Sequence, residues 1–252
     1  MRTARHHHAP LAAGPLVLDG PAHRYLARVL RLGVGATITL FDGAGLEASA
    51  TIVRVDDAAA RVELDVGVPG PASVLVPALE LVLLVGLLKG DKLELVIQKA
   101  TELGVTRIVP VEAVRAVVKL DPARATQRVA RWRTIAAEAA KQCGRADLPE
   151  VTAPLALADA LASAPAGPRL FVDEEHKGAG LAAALPDGSR AATVAIGPEG
   201  GWAPEERQAA ASAGFTTVGL GPRTLRAETA ALAAIAVVAH RLGDLGRGGN
   251  LG

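Results

Sequence analysis

The residues best suited to chemistry stand in two short blocks. One is Gly197-Pro198-Glu199-Gly200-Gly201, and the other runs Leu220-Gly221-Pro222-Arg223-Thr224-Leu225-Arg226-Ala227-Glu228-Thr229-Ala230. Two adjacent glycines allow backbone to approach a flat ligand closely and to take positive φ. Arg223 and Arg226 crowd the second turn. At the lip of a cleft, arginines can bind an anion or an electron-rich carbonyl. A guanidinium stays charged, so it polarises an oxygen and is a poor proton acceptor. Glu228 falls near a helix start, where free N–H groups and the helix dipole stabilise negative charge. That placement suits a cap, or an orienter of Arg226, better than a base. The plainer reading is a pair of ordinary strand-to-helix turns in which Arg226 pairs with Glu228 or Glu199. Neither block is a G-x-G-x-x-G dinucleotide fingerprint or a G-x-x-x-x-G-K-[ST] phosphate loop.

Each block needs the same carrier: a short strand ending in a glycine turn, then a helix. Thr193–Ile196 and Thr217–Leu220 are the expected strands. Pro204, Glu205 and Glu206 open the first helix, since proline suits the first helical position and acids suit the positive end. Upstream, Leu79–Leu88 reads as a strand buried on both faces. Asp91–Leu103 has Leu93, Val96, Ile97, Ala100 and Leu103 at helical spacing, with Gly104 to close it. Thr106–Val111 is a strand, and Asp121-Pro122 starts a helix to about Cys143. Further strands fall near Glu150–Thr152 and Leu170–Asp173. This alternation means an α/β unit with a largely parallel sheet and helices on both faces. Open sheets of this kind place ligands at the carboxyl ends of their strands.

Residues 1–72 read differently. Thr37–Phe41 and Ala48–Val55 alternate around the hairpin signal Asp42-Gly43-Ala44-Gly45, and Arg61–Val66 adds a strand. Pro21–Leu32 reads as one helix with Tyr25, Leu26, Val29 and Leu30 on a single face. The expectation is a small barrel-like unit, a linker at Val68–Ser73, and a second unit over residues 73–252.

Composition limits the function classes. The chain has 252 residues, half of them apolar, and a net charge of +1. Any basic surface must therefore be local. No apolar run reaches the roughly 18 residues of a membrane span. The N-terminus lacks the apolar block of a signal peptide. The single Cys143 excludes an intrachain disulfide framework and a zinc ribbon, and points to a reducing cytoplasm. No metal site is expected, and His6–His8 reads as a solvated tail or an arm on RNA. Lys92 reads as part of a solvated helix face. Asp173-Glu174-Glu175 reads equally as cleft lining or exposed loop. The Thr229–Val238 helix is apolar nearly all round, which suggests a contact between subunits.

G-P-E-G-G followed by L-G-P-R-T-L-R-A-E-T-A resembles the ribosomal RNA small subunit methyltransferase E family, in the SPOUT class of RNA methyltransferases. The likeness extends to K-G-D-K-L-E-L-V-I-Q-K-A-T-E-L-G-V (Lys89–Val105), Arg115–Lys119, Arg131–Val151 and His23–Leu32, in the family's order. Two places depart from its pattern. His6–His8 stand where aromatics are usual, and Ala113-Val114 where serine and glutamate are usual.

The resemblance implies a PUA-like RNA-binding β-barrel, then a trefoil-knotted α/β domain that binds S-adenosylmethionine. It implies methylation of N3 of one uridine in 16S ribosomal RNA, by a homodimer with each cleft at the subunit boundary. Carried over residue by residue, the cofactor would meet Gly197, Pro198, Glu199, Gly200, Gly201, Leu220, Gly221, Leu225, Arg226 and Thr229. Arg226 and Glu228 would be the catalytic pair. Arg31, Lys89, Arg115, Lys119 and Arg145 would contact RNA. A noncatalytic RNA-binding protein of the same fold is the runner-up. A dinucleotide-dependent oxidoreductase rests on α/β alternation alone.

Overall fold

A computed structural model describes residues 3–72, 77–176, 178 and 180–246. The chain divides into two compact units, Met1–Val76 with Ala140–Leu148, and Pro77–Ala139 with Pro149–Gly252.

The first unit holds β1 (Ala4–His7), β2 (Gly14–Asp19), α1 (Pro21–His23), a π-helical turn (Arg24–Val29), β3 (Thr37–Phe41), β4 (Leu46–Asp56), β5 (Arg61–Val66) and β6 (Gly70–Pro71). Its mixed sheet runs β1-β3-β4-β5-β2, with β6 on β4. Alternation works as period 2 requires. Ala48, Ala50 and Ile52 of β4 and Val62, Leu64 and Val66 of β5 point into one core with Ile38, Leu40 and Leu26. The hairpin turn is held by Asp42, whose Oδ1 accepts the Ala44 and Leu46 N–H groups at 2.7 and 3.0 Å.

Three expectations change here. Pro21–Leu32 is not one α-helix: after a single α turn it widens to i→i+5 bonding, as in Leu30 N–H to Tyr25 C=O at 2.9 Å. The wider turn breaks the i, i+3, i+4 stripe. Leu26 is fully buried, while Val29 and Leu30 are exposed. His6–His7 is not a solvated tail, because both residues lie in β1, parallel to β3, and His7 packs against Phe41. The linker candidate also pairs, with Gly70 and Pro71 adding an edge to β4. Ser73 lies outside the described residues.

A segment far along the chain completes this unit. Gly45 N–H donates to Ala146 C=O at 3.2 Å, Leu148 N–H to Gly43 C=O at 2.9 Å, and Lys141 sits 3.9 Å over the Tyr25 ring. Linker composition gives no hint of this.

The second unit alternates as expected: β7 (Glu80–Gly86), α2 (Lys92–Glu102), β8 (Arg107–Glu112), α3 (Pro122–Cys143), β9 (Glu150–Val151), β10 (Leu155–Ala156), α4 (Leu157–Ala162), β11 (Arg169–Val172), a 3₁₀ turn (Leu181–Ala184), β12 (Ala191–Ile196), α5 (Pro204–Ser212), β13 (Thr216–Val218) and α6 (Ala227–Arg241). The last residues of α3 group with the first unit. The sheet is parallel throughout, in the order β10-β8-β7-β12-β11-β13, with β9 on β8. Every residue of β12, and all of β7 but Glu80, is buried. That is the continuous apolar pattern of strands covered on both faces. β12 lies between β7 and β11, although both precede it in the chain.

Helix α6, apolar nearly all round, owes much of its burial to its own chain: Ala231, Ala234, Ile235 and Val238 are fully buried within it, so Ile235 is a core residue and not a subunit contact. They pack with the sheet, and α6 lies on α2. Beyond its first turn, Leu232, Ala233, Ala236 and Val237 are half-buried. Ile235→Glu should therefore unfold the chain rather than merely separate subunits. An unpaired charge in this core is expected to cost about 3–5 kcal/mol, measured by urea denaturation at protein concentrations low enough to hold a monomer.

Candidate active site

A cleft of about 320 Å³ opens where β11, β12 and β13 end. Val172, Asp173 and Glu174 line it after β11, Ile196–Glu199, Gly201 and Trp202 after β12, and Leu220, Gly221 and Arg223–Ala227 after β13. Lys92 of α2 and Ala230 of α6 complete it.

The first turn is packed tightly against its neighbours. Pro198 lies so close to the end of β7 that a Cβ on Gly86 would stand 2.6 Å from its nitrogen. Gly197 faces the Trp202 indole, with an added Cβ at 3.3 Å. Trp202 is buried, stacks on Phe171 at 4.6 Å between ring centroids, and donates its Nε1–H to the Val172 carbonyl at 3.0 Å. Gly201 takes φ +67, a left-handed conformation that disfavours side chains. Arg115 braces the turn from outside, with Nη1 donating to the Gly200 carbonyl at 3.3 Å.

Carboxylates set the second layer. Glu199 accepts from the Lys89 N–H and from Lys92 Nζ, each at 3.1 Å. Burial alone would raise its pKa, but hydrogen bonds from its own N–H, the Lys89 N–H and the Lys92 ammonium outweigh that and hold it below the usual carboxylate range. The stability from this link is present above that range and lost as pH falls through the depressed value. Asp173 is buried and chelated by Arg207, Nε to Oδ2 at 2.5 Å and Nη2 to Oδ1 at 3.3 Å. The hydrogen bond to Asp173 raises the Arg207 pKa further. Glu206, also buried, accepts two backbone N–H groups: Ala203 at 2.8 Å and Val114 at 2.9 Å. It caps α5 and ties down the segment after β8 with one carboxylate.

The structure gathers eight of the ten expected cofactor residues at the cleft wall: Gly197, Pro198, Glu199, Gly201, Leu220, Gly221, Leu225 and Arg226. Gly200 and Thr229 stand outside the lining and are exposed. Arg226 is the N-cap residue of α6 and opens into the cleft. The expected pairing with Glu228 is absent among the described residues. Glu228 instead faces Lys92 Nζ, 3.7 Å from Oε2, and that oxygen is buried without a hydrogen bond. Lys92 is therefore a cleft residue and not part of a solvated face. Only the fold reveals this, because α2 and α6 are more than a hundred residues apart.

Of the expected RNA contacts, Arg31, Lys89, Arg115 and Lys119 are exposed. Arg145 is not available. It belongs to the first unit, its side chain is 6% exposed, and its Nε and Nη2 both donate to Asp147. The adjacent carboxylate two residues on was the signal for that pair. Among the described residues, no group of three or more His, Cys, Asp or Glu side chains could hold a metal. No described helix is long and apolar enough to cross a membrane.

A parallel sheet with this cleft, joined to a small mixed-sheet unit, defines an RNA methyltransferase of the SPOUT class. The family described as "RNA methyltransferase domain" matches residues 76–239, and "RNA methyltransferase PUA domain" matches residues 18–65. Ribosomal RNA small subunit methyltransferase E of Mycobacterium bovis is 31% identical over 230 residues, 88% of this chain and 85% of that protein. The Bacillus subtilis protein of the same name is 37% identical over 62% of this chain and 64% of its own length. A Neisseria gonorrhoeae protein of that name, solved bound to S-adenosyl methionine, superposes with a TM-score of 0.86 at 33% identity, covering 96% of this chain and 99% of that one. The chain belongs to the ribosomal RNA small subunit methyltransferase E family.

Glu206→Gln tests how the site is braced. An amide has one acceptor oxygen, so one of the two buried N–H groups would face an NH₂ group. We expect a loss of about 1–3 kcal/mol in chemical denaturation, with faster amide exchange at Val114 or Ala203.

Proposed function

We propose that this protein transfers a methyl group from S-adenosylmethionine to N3 of a uridine in 16S ribosomal RNA. The observation that carries the reading is the convergence of two glycine turns and Arg226 on one cleft. The cleft fits the cofactor. Ile196, Trp202, Leu220 and Leu225 offer apolar walls, and Gly197 and Gly201 line the cleft where a flat base can approach. When bound there, the cofactor supplies an electrophilic methyl group on a sulfonium.

The chain's own residues have two further tasks. Uridine N3 carries a proton at neutral pH and becomes nucleophilic only when that proton leaves. Negative charge then spreads over O2, N3 and O4. Arg226, at the mouth of the cleft, polarises one of these carbonyl oxygens. The glycine turns hold the reactants in line, which supplies much of the acceleration. Solvent or phosphate takes the proton in this reading, and Glu228, which faces Lys92 rather than Arg226, helps to hold the start of α6.

The division of labour follows the family. Residues 1–72 form the PUA-like RNA-binding domain, with residues 140–148 grouped with it, and the remainder of residues 73–252 forms the SPOUT methyltransferase domain. Insertion of β12 between β7 and β11 supports the trefoil knot that the resemblance implies. The half-buried α6 face of Leu232, Ala233, Ala236 and Val237 supports a homodimer. A ribosomal RNA substrate supports work in the cytoplasm.

The direct test incubates the protein with labelled methyl donor and unmethylated small subunits, then identifies the methylated nucleoside by mass spectrometry. Label in any position other than N3 of uridine would refute the assignment. Arg226→Lys keeps the charge and loses the planar fork. It should bind S-adenosylmethionine nearly as well as the parent but turn over at least about tenfold more slowly, roughly 1.4 kcal/mol of transition-state stabilisation. RNA binding through Arg31, Lys89, Arg115 and Lys119 should be salt-dependent. Each charge removed is expected to reduce the log–log salt slope by about one, measured by filter binding over a salt series.

A further inference from the structure

We infer that Lys92 is the positioning residue that ties the two glycine turns together and thereby sets Arg226. The inference rests on the cofactor reading above. Lys92 is the first residue of α2, and its Nζ lies 3.1 Å from Glu199 Oε1 and 3.7 Å from Glu228 Oε2. Glu199 belongs to the turn after β12. Glu228 stands in the first turn of α6, two residues beyond Arg226, the N-cap. One ammonium therefore bridges the turn after β12 and the start of α6, both beside the cleft.

The surroundings make this bridge consequential. Glu228 is 14% exposed and its Oε2 is buried with no hydrogen bond. Among the described residues, Lys92 is the one cation that pairs with it. A carboxylate oxygen buried without a hydrogen bond depends on its counter-charge far more than an exposed one does. Glu199 has a second anchor in the Lys89 N–H, so its turn keeps one tie if Lys92 is lost. Glu228 keeps none. Removing the ammonium should release the start of α6 first, and with it the backbone position from which Arg226 reaches the cleft. The effect is transmitted through Glu228, so Lys92 needs no contact with substrate to act.

The geometry also gives a pattern by which to recognise the role. Lys92→Met keeps the length of the stem and removes the charge. It should weaken S-adenosylmethionine binding in calorimetry by about tenfold or more and lower kcat as well. Hydrogen exchange should rise at the 220–228 amides more than at 197–201. Lys92→Arg restores a cation and should recover most of the affinity. Glu228→Gln removes the charge that Lys92 holds. The double variant Lys92→Met/Glu228→Gln should then be no worse than Lys92→Met alone, the non-additivity expected of a direct pair.

Full affinity and turnover in a folded Lys92→Met protein would overturn the inference. So would strict additivity in the double variant, or a loss that Lys92→Arg does not recover. Failure of the parent protein itself to bind S-adenosylmethionine would instead strike the cofactor reading. In that case the exchange comparison still decides whether Lys92 holds the 220–228 segment.

Discussion

The constraint on which the site depends is the approach of the turn after β12 to the end of β7. Pro198 sits where a side chain on residue 86 would otherwise be, and the 2.6 Å distance to a hypothetical Gly86 Cβ leaves no room for one. Because the two central strands meet so closely, Glu199 is delivered to the start of α2, where Lys89 and Lys92 receive it. Trp202 is delivered to the other side, under Gly197 and onto Phe171 of β11. The turn is thus fixed on three sides before any ligand arrives. Gly201 lets the chain take its left-handed turn here without the clash a Cβ would bring.

Charge is distributed to the same end. Glu199, Asp173, Glu206 and Glu228 all stand at or just behind the cleft, and each is committed to a structural partner. Asp173 takes the planar fork of Arg207, and Glu206 takes two backbone N–H groups. Lys92 serves the remaining two. Acids so engaged are poor candidates for an exposed general base, whereas Arg226, with no carboxylate partner among the described residues, is left to face the cleft. This asymmetry suits a reaction that creates negative charge on the substrate.

Much of this was legible beforehand, for identifiable reasons. The strands of the second unit are continuous apolar runs because both faces are covered, and such runs are bounded clearly by glycine and proline. Gly104 stops α2 with φ +86, and Pro204 starts α5 at its first position. Periodicity failed where the local geometry was not standard. The π-helical turn at Arg24–Val29 shifts the buried face away from the i, i+3, i+4 stripe, and no composition signal marks it. For α6, an all-round apolar pattern reports burial without saying by what. Its cover is supplied on several sides by α2 and the chain's own sheet.

The sequence by itself determined the class of fold, the two glycine turns and the arginine beside them. These depend on local rules: which residues tolerate positive φ, which begin helices, and which alternate. Only the tertiary structure decided who partners whom. It took Arg145 out of reach by pairing it with Asp147 in the first unit, and moved Lys92 from a helix face to the wall of the cleft. It separated Glu228 from Arg226, its near neighbour in sequence, and set it against a lysine from a distant helix. Residues two apart at a helix start point in different directions, while strand order brings remote ends together. Spacing along the chain cannot encode that choice, because it is made by the packing of β7, β12 and α6.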